Sequence, residues 1–328
     1  MNKIKRSGKL LRAAFAVLLR EKKLLLFPFI ATAMALAVAA FFTVPIALYP
    51  TGHSVFSAGH WGALVAKAGD WFSVKPDQPG HYGMQGGKMQ VLFGHPAAAA
   101  FFAVAYFVSM FLATFSNVAF YHEIMQALNG HAVSIRRGLR FASARWQGIL
   151  LWSLFAGLVG YIINAIQERI GFLGRILTGL LGFVWSTACI FIIPTLVRNR
   201  ENSHPIALLR NSIGTLRRAW GETVVGFVGI QLISLLSMCT VIIGILLVIG
   251  IPLVIFRSAS PGINIRHMMY YQAAILLLTV VVATTLSCLG GLLNAVYRCA
   301  LYIYATEGVV PGTFDKELLD SAWRVKKS

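Results

Sequence analysis

The side chains that could do chemistry are few, and most stand at the ends of long apolar runs. His122 and Glu123 follow one run, Glu168 follows another, and Arg298 follows the last. Intramembrane enzyme chemistry would need Glu123, Glu168 or a histidine to converge with another polar group in a cleft. Asn164 and Gln167 lie three apart, on one helical face inside a run, and form a candidate polar intramembrane site. An interhelical hydrogen bond is the commoner use of such amides. No Asp, Glu, Lys or Arg occupies the middle of a run, where coupled transporters and proton relays place them. The four boundary groups are therefore expected to snorkel to the membrane surface. His53, His60, His81 and His95 share one long polar stretch, but their spacing fits neither a helical i, i+4 metal pair nor a finger, and no cysteine accompanies them. Nucleophile elbows, phosphate loops, His-Glu-x-x-His and paired catalytic carboxylates are all missing from the sequence. The reading is of no catalytic, cofactor-binding or metal residues, no cofactor and no enzyme.

The elements that hold these residues follow from composition. Hydrophobic residues make up 57% and charged residues 12% of 328, against roughly 45–50% and about 25% in soluble domains. So few charges cannot cover a water-facing surface, so lipid must be the solvent for much of the chain. The expected fold is all-α: a polytopic transmembrane helix bundle of about six spans. These fall near 24–48, 97–120, 148–167, 176–197, 223–256 and 273–298. The fifth run is uncharged over 34 residues, about 51 Å as one helix, so it crosses by about 248 and its remainder kinks or lies in the interface. The first run is too long for a signal peptide and reads as a span.

The net charge of +18 could suggest nucleic acid, but the basic residues are scattered between the spans, so no nucleic-acid partner is expected. They do set orientation. Segments on the N-terminal side hold 22 of the 29 Lys and Arg, and the opposite side holds 7. Both termini are therefore expected in the cytoplasm. Residues 1–23 become a cytoplasmic amphipathic helix and 24–298 the membrane domain. Within that domain 49–96 is an extracytoplasmic loop, and 121–147 and 198–222 are basic cytoplasmic links. Residues 299–328 are a cytoplasmic tail. Cys189, Cys239, Cys288 and Cys299 lie within or beside apolar runs and predict no disulfide.

Two links share a pattern. Ile135, Leu139, Ala142 and Trp146 have the spacing of Leu209, Ile213, Leu216 and Trp220. Each stripe predicts a surface helix with one apolar face toward lipid and tryptophan where the chain enters the bilayer. Arg136, Arg137 and Arg140 on one, and Arg210, Arg217 and Arg218 on the other, are the candidates for contact with anionic lipid or a partner. A second echo pairs Asn117-Val118-Ala119-Phe120 before Gly130 with Asn294-Ala295-Val296-Tyr297 before Gly308. These repeats suggest a unit of surface helix plus two spans, although basic interfacial helices resemble one another in any case. Small residues recur every fourth position: Ala105, Ser109, Ala113 and Asn117; Gly174, Thr178, Gly182 and Ser186; Ala283, Ser287, Gly291, Ala295 and Cys299. Such stripes predict close helix approach in a compact bundle, with Gly291 on the packed face of the last span.

Several pieces carry a resemblance: Lys23-Leu24-Leu25-Leu26-Phe27-Pro28, Asn117-Val118-Ala119 with Gly130, Gly138-Leu139 and Ala142, Ile166-Gln167-Glu168-Arg169, Pro194, Arg210-Asn211-Ser212, Trp220-Gly221-Glu222, and Thr306-Glu307-Gly308 with Phe314-Asp315. On these the chain resembles a family of uncharacterised prokaryotic six-span membrane proteins, a domain of unknown function. More loosely, the layout from Pro194 to Ser212 is similar to the membrane domains of bacterial glycerophosphodiesterases. In the family an acidic residue often follows the proline closely; here Arg198 and Arg200 precede Glu201. The resemblance implies a multi-pass protein of the bacterial inner membrane and supplies no activity. The expected role is a non-enzymatic membrane component that binds lipid, anionic lipid included, a membrane-protein partner or a second copy of itself. A transporter of a small or amphiphilic molecule is the alternative, and an intramembrane enzyme the third reading.

Overall fold

The computed structural model describes residues 3–72, 96–169, 171–199, 204–218, 234–250 and 265–311. Among them all regular structure is helical. The helices are α1 (Lys3–Arg20), α2 (Leu26–Ala47) after a 3-10 turn at Lys22–Leu25, α3 (Ala58–Phe72), α4 (Pro96–Leu128), α5 (Ile135–Ala144), α6 (Trp146–Arg169), α7 (Gly171–Ala188), α8 (Ile192–Arg198) and α9 (Pro205–Arg218). They continue with α10 (Ser234–Gly250) and α11 (Ile265–Glu307). Pro96 and Pro205 open their helices at the position where a missing N–H costs nothing. Gly130 and Gly308, the two echoed glycines, follow the ends of α4 and α11 with φ of 85° and 67°. That left-handed conformation lets the chain leave the helix, and the Gly308 N–H donates to the Tyr304 carbonyl at 3.0 Å.

Five segments are long and apolar enough to cross a membrane: Lys22–Ala47, Ala100–Leu128, Trp146–Ile166, Ile176–Arg198 and Met269–Glu307. Of the run 223–256, only α10 is described, a shorter apolar helix, and the residues flanking it lie outside the described part. Exposure divides each span. Phe29, Leu36 and Phe41 of α2, Leu180 and Phe183 of α7, and Leu276 to Leu278 of α11 are all exposed. Uncharged, water-excluding surface of this kind is what a helix presents to lipid. Taken helix by helix, buried residues cluster toward one terminus: Leu24 and Phe27 before and in α2, Val118 to Leu128 of α4, Ile149 and Trp152 of α6, Ile192 to Val197 of α8, Leu292 to Ile303 of α11.

The chain divides into two units. The first comprises 1–26, 121–134 and 214–328, the second 27–120 and 135–213. In the first, α1 packs on α11, and Ala14, Val17 and Leu18 are buried. In the same unit α10 meets α11: the Ser237 hydroxyl pairs with Ser287 at 2.7 Å and lies 3.0 Å from the Ala283 carbonyl. Two turns along α10, a Cβ on Gly244 would come within 2.3 Å of the Thr279 side chain. Gly244 is thus a point of close helix approach.

In the second unit, α6 and α7 form an antiparallel pair in which Trp152 and Trp185 stack at 6.2 Å. Gly157 of α6 faces α4, where a Cβ would meet Phe107 at 2.9 Å. The loop after α2 is also tied down. His60 of α3 is buried; its Nε2 bonds the Ala47 carbonyl at 2.8 Å and its Nδ1 the Thr51 hydroxyl at 2.6 Å. Both ring nitrogens hold the loop on the end of α2, which gives this histidine a structural use.

Candidate functional site

The fourth expected span is two helices rather than one. Between α7 and α8 the chain turns at residues 189–191. Pro194, in the first turn of α8, cannot donate to a preceding carbonyl, which makes a continuous helix through this point costly. Breaking a helix within a span leaves backbone groups that lipid cannot satisfy. Ser212 of α9 supplies them: its hydroxyl donates to the Ala188 carbonyl at 2.6 Å and accepts the Phe191 N–H at 3.2 Å. Ser212 is fully buried. At the other end of α8, Arg145 Nη1 donates to the carbonyls of Leu196, Val197 and Asn199 at 2.6, 2.9 and 3.0 Å. A cation at a helix C-terminus satisfies the last carbonyls and the negative end of the dipole together. The guanidinium also lies over the Phe141 ring, 4.4 Å from its centroid.

This joint fixes the two basic surface helices. On α5, Gly138 and Ala142 are buried while Arg136 and Arg140 are exposed. On α9, Pro205, Leu208, Ser212 and Thr215 are buried while Ile206, Arg210, Arg217 and Arg218 are exposed. Arg137 is half-buried and already engaged in an interaction. The expected lipid-facing stripes are corrected in part: Ala142 and Leu216, two of their members, are buried in the protein. Small side chains on these faces let the helices seat close, so the inward face outcompetes the outward one. Trp146 also leaves the stripe's helix, because α5 ends at Ala144 and Trp146 opens α6. Trp220, which ends the other stripe, lies outside the described residues.

The boundary acids and bases do not simply snorkel. Glu123 is fully buried within α4, which runs on to Leu128 instead of ending near 120. Its Oε2 accepts the Ser134 N–H at 2.7 Å, and Glu21 accepts the neighbouring Val133 N–H at 3.3 Å. Two carboxylates thus hold consecutive amides of the loop that leads into α5. His122 Nε2 lies 3.8 Å from Glu123. Arg298 Nε donates to Asn294 Oδ1, one turn back, at 3.1 Å. Neither carboxylate was expected to have this use: the amide that Glu123 holds lies 11 residues on, beyond the end of its helix, and the one that Glu21 holds is 112 residues away. Asn164 is exposed on α6, and the side chains of Gln167 and Glu168 lie outside the described residues. Nothing described brings Asn164 to a second polar group. Among the described residues, no group of three or more His, Cys, Asp or Glu side chains could hold a metal ion.

A cavity of about 330 Å³ lies between α2 and α4, inside the second unit. Ala31, Ala35 and Ala39 form one wall, and Ala105, Ser109, Ala113 and Asn117 the other. The stripe expected to draw a helix close therefore borders open space. A stripe in α7 is similarly loose, with nothing within 4 Å of a Cβ on Gly182. In α11, Gly291 has the same open surroundings while Leu292 beside it is buried. The expected packing face of that helix holds at Ala283, Ala295 and Cys299, which are buried, and at Ser287, which bonds Ser237; the correction is confined to Gly291.

A family model matches residues 96–312, and its description is a family of unknown function, DUF6159. The chain belongs to this family. The match begins at α4 and takes in both surface helices, Arg145, Pro194 and Ser212. No curated protein and no solved structure matches the chain.

Proposed function

We propose that this DUF6159 protein is a non-enzymatic, six-span component of the bacterial inner membrane that gathers anionic lipid at its basic surface helices. The observation that carries the reading is the exposure of Arg136, Arg140, Arg210, Arg217 and Arg218 on faces opposite those that α5 and α9 bury. A cytoplasmic leaflet attracts each such residue by about 1 kcal/mol. The helices are already held by Ser212 and Arg145, so these arginines are not needed as anchors and are available to a headgroup.

Six crossings and a cytoplasmic position for both termini complete the proposal. The run around α10 supplies the sixth crossing. The support for this orientation is the charge bias, with 22 of the 29 basic side chains in the segments on the N-terminal side. An acidic membrane-protein partner or a second copy would meet the same arginines. The test is to change Arg210, Arg217 and Arg218 together to Gln and measure lipid retained by the purified protein. The variant is expected to stay folded and to retain less phosphatidylglycerol and cardiolipin per protein. Unchanged anionic lipid in a correctly oriented variant would rule out recruitment by α9.

A further inference from the structure

We infer that the cavity between α2 and α4 is a binding site for the single acyl chain of an amphiphile, with the polar end of that chain at Asn117. The site is separate from the surface arginines and rests only on the membrane location of these two helices. Its lining runs from Ala31 to Thr43 on α2 and from Ala105 to Asn117 on α4. Either stretch is about 18 Å of helix, close to one leaflet of a hydrocarbon core about 30 Å thick. Around it, Leu36, Phe41, Phe102 and Val104 are exposed, which places the trough among lipid tails, not water.

The polar lining decides the chemical class. Four such side chains border the cavity: Thr43, Ser109, Ser116 and Asn117. Thr43 donates to the Ala39 carbonyl and Ser109 to the Ala105 carbonyl, each at 2.7 Å and within its own helix. Ser116 donates to the Met34 sulfur at 3.3 Å. These three hydroxyls have committed their protons, so they offer a polar cargo no donor. Among the described residues, Asn117 makes no hydrogen bond and is exposed. An amide left unpaired beside hydrocarbon is unfavourable. A ligand with one hydrogen-bonding group and an apolar tail satisfies both features: the carbonyl or hydroxyl at the head of the chain meets Asn117, and the tail lies along the alanines. A water-filled path for a polar solute needs donors as well as acceptors along its length, and in this lining only the Asn117 amide has a donor left to offer.

The test uses the full chain in nanodiscs of phosphatidylcholine doped with a phosphatidylethanolamine that carries a photoactivatable diazirine on one acyl chain. Cross-links are mapped to peptides, and labelling at Leu36 and Phe41 measures ordinary surrounding lipid. Groove positions are expected to label more strongly than those two. Ala113→Phe fills the trough and is expected to abolish the excess. Asn117→Leu keeps the shape and is expected to reduce the excess about tenfold, equivalent to 1.4 kcal/mol. Should Ala113→Phe fail to fold, the Asn117→Leu comparison alone decides. Equal labelling inside and outside the groove, or labelling unmoved by a folded variant, would overturn the assignment. Loss of headgroup selectivity in the arginine variant leaves these cross-links unchanged, so the two readings fail separately.

Discussion

At the residue scale, neighbouring positions on one helix are expected to differ sharply. Leu292 is buried, whereas a side chain on Gly291 meets open space. Leu292→Ala is expected to cost roughly 2–5 kcal/mol through the void it leaves, and Gly291→Leu little; thermal unfolding in detergent ranks them. The sequence points the other way, because small residues at every fourth position look like a packing face. In a span, apolar residues suit lipid and protein alike, so periodicity cannot say which side meets a neighbour. The glycine that matters is Gly244, set against Thr279. Gly244→Ala is expected to destabilise by about 1–3 kcal/mol through overpacking, and equal melting of variant and wild type would count against that contact. Glu123 offers a third comparison. Glu123→Ala strands the Ser134 N–H, at a cost of about 1–3 kcal/mol, while Glu123→Gln keeps an acceptor and is expected to lose less. Amide hydrogen exchange at Ser134 should rise most in the alanine variant.

At the element scale, the sequence shows that surface helices exist and where they begin, because basic residues interrupt apolar runs and Pro205 marks a start. It does not show what seats them. The partners of Arg145 are 51 to 54 residues away, and Ser212 spans 21 to 24 residues to reach the broken helix. Pro194 marks the neighbourhood of that break, but a proline alone cannot reveal the hydroxyl that makes the break tolerable. Arg145→Ala leaves three carbonyls at the end of α8 without their donor. A loss of about 1–3 kcal/mol is expected, with partial rescue by Arg145→Lys, which keeps the charge and loses the planar fork. Proteolysis within 198–204 reads the fraying directly, and an unaltered cleavage rate in Arg145→Ala would show that the cap contributes nothing.

At the scale of the whole molecule, composition is the strongest signal. It gives the helical architecture of the described residues and the location of five apolar spans, since few charges and long apolar runs have no other physical solution, although α4 and α11 run two turns or more past their expected ends. The cavity was not legible, because it depends on how far apart two alanine-rich faces stand. Topology remains a prediction from Lys and Arg. With single cysteines at Ser54 and Ser328 in a cysteine-free background, an impermeant thiol reagent applied to intact cells is expected to label the first and spare the second. The reverse pattern would sink the assignment.

The serine bridge across the interrupted span has a consequence for biogenesis. While a nascent chain is only as long as α8, the Ala188 carbonyl and the Phe191 N–H lack the Ser212 hydroxyl that bridges them. The residue that completes them is synthesised 21 to 24 positions later. Lateral release of this span from the insertion machinery should therefore wait until α9 has emerged. A stalled-chain force profile is expected to show a late pulling event at lengths that expose Ser212. Replacement of Ser212 by Ala should weaken that event, and an unchanged profile would mean the span is released before its bridge is made.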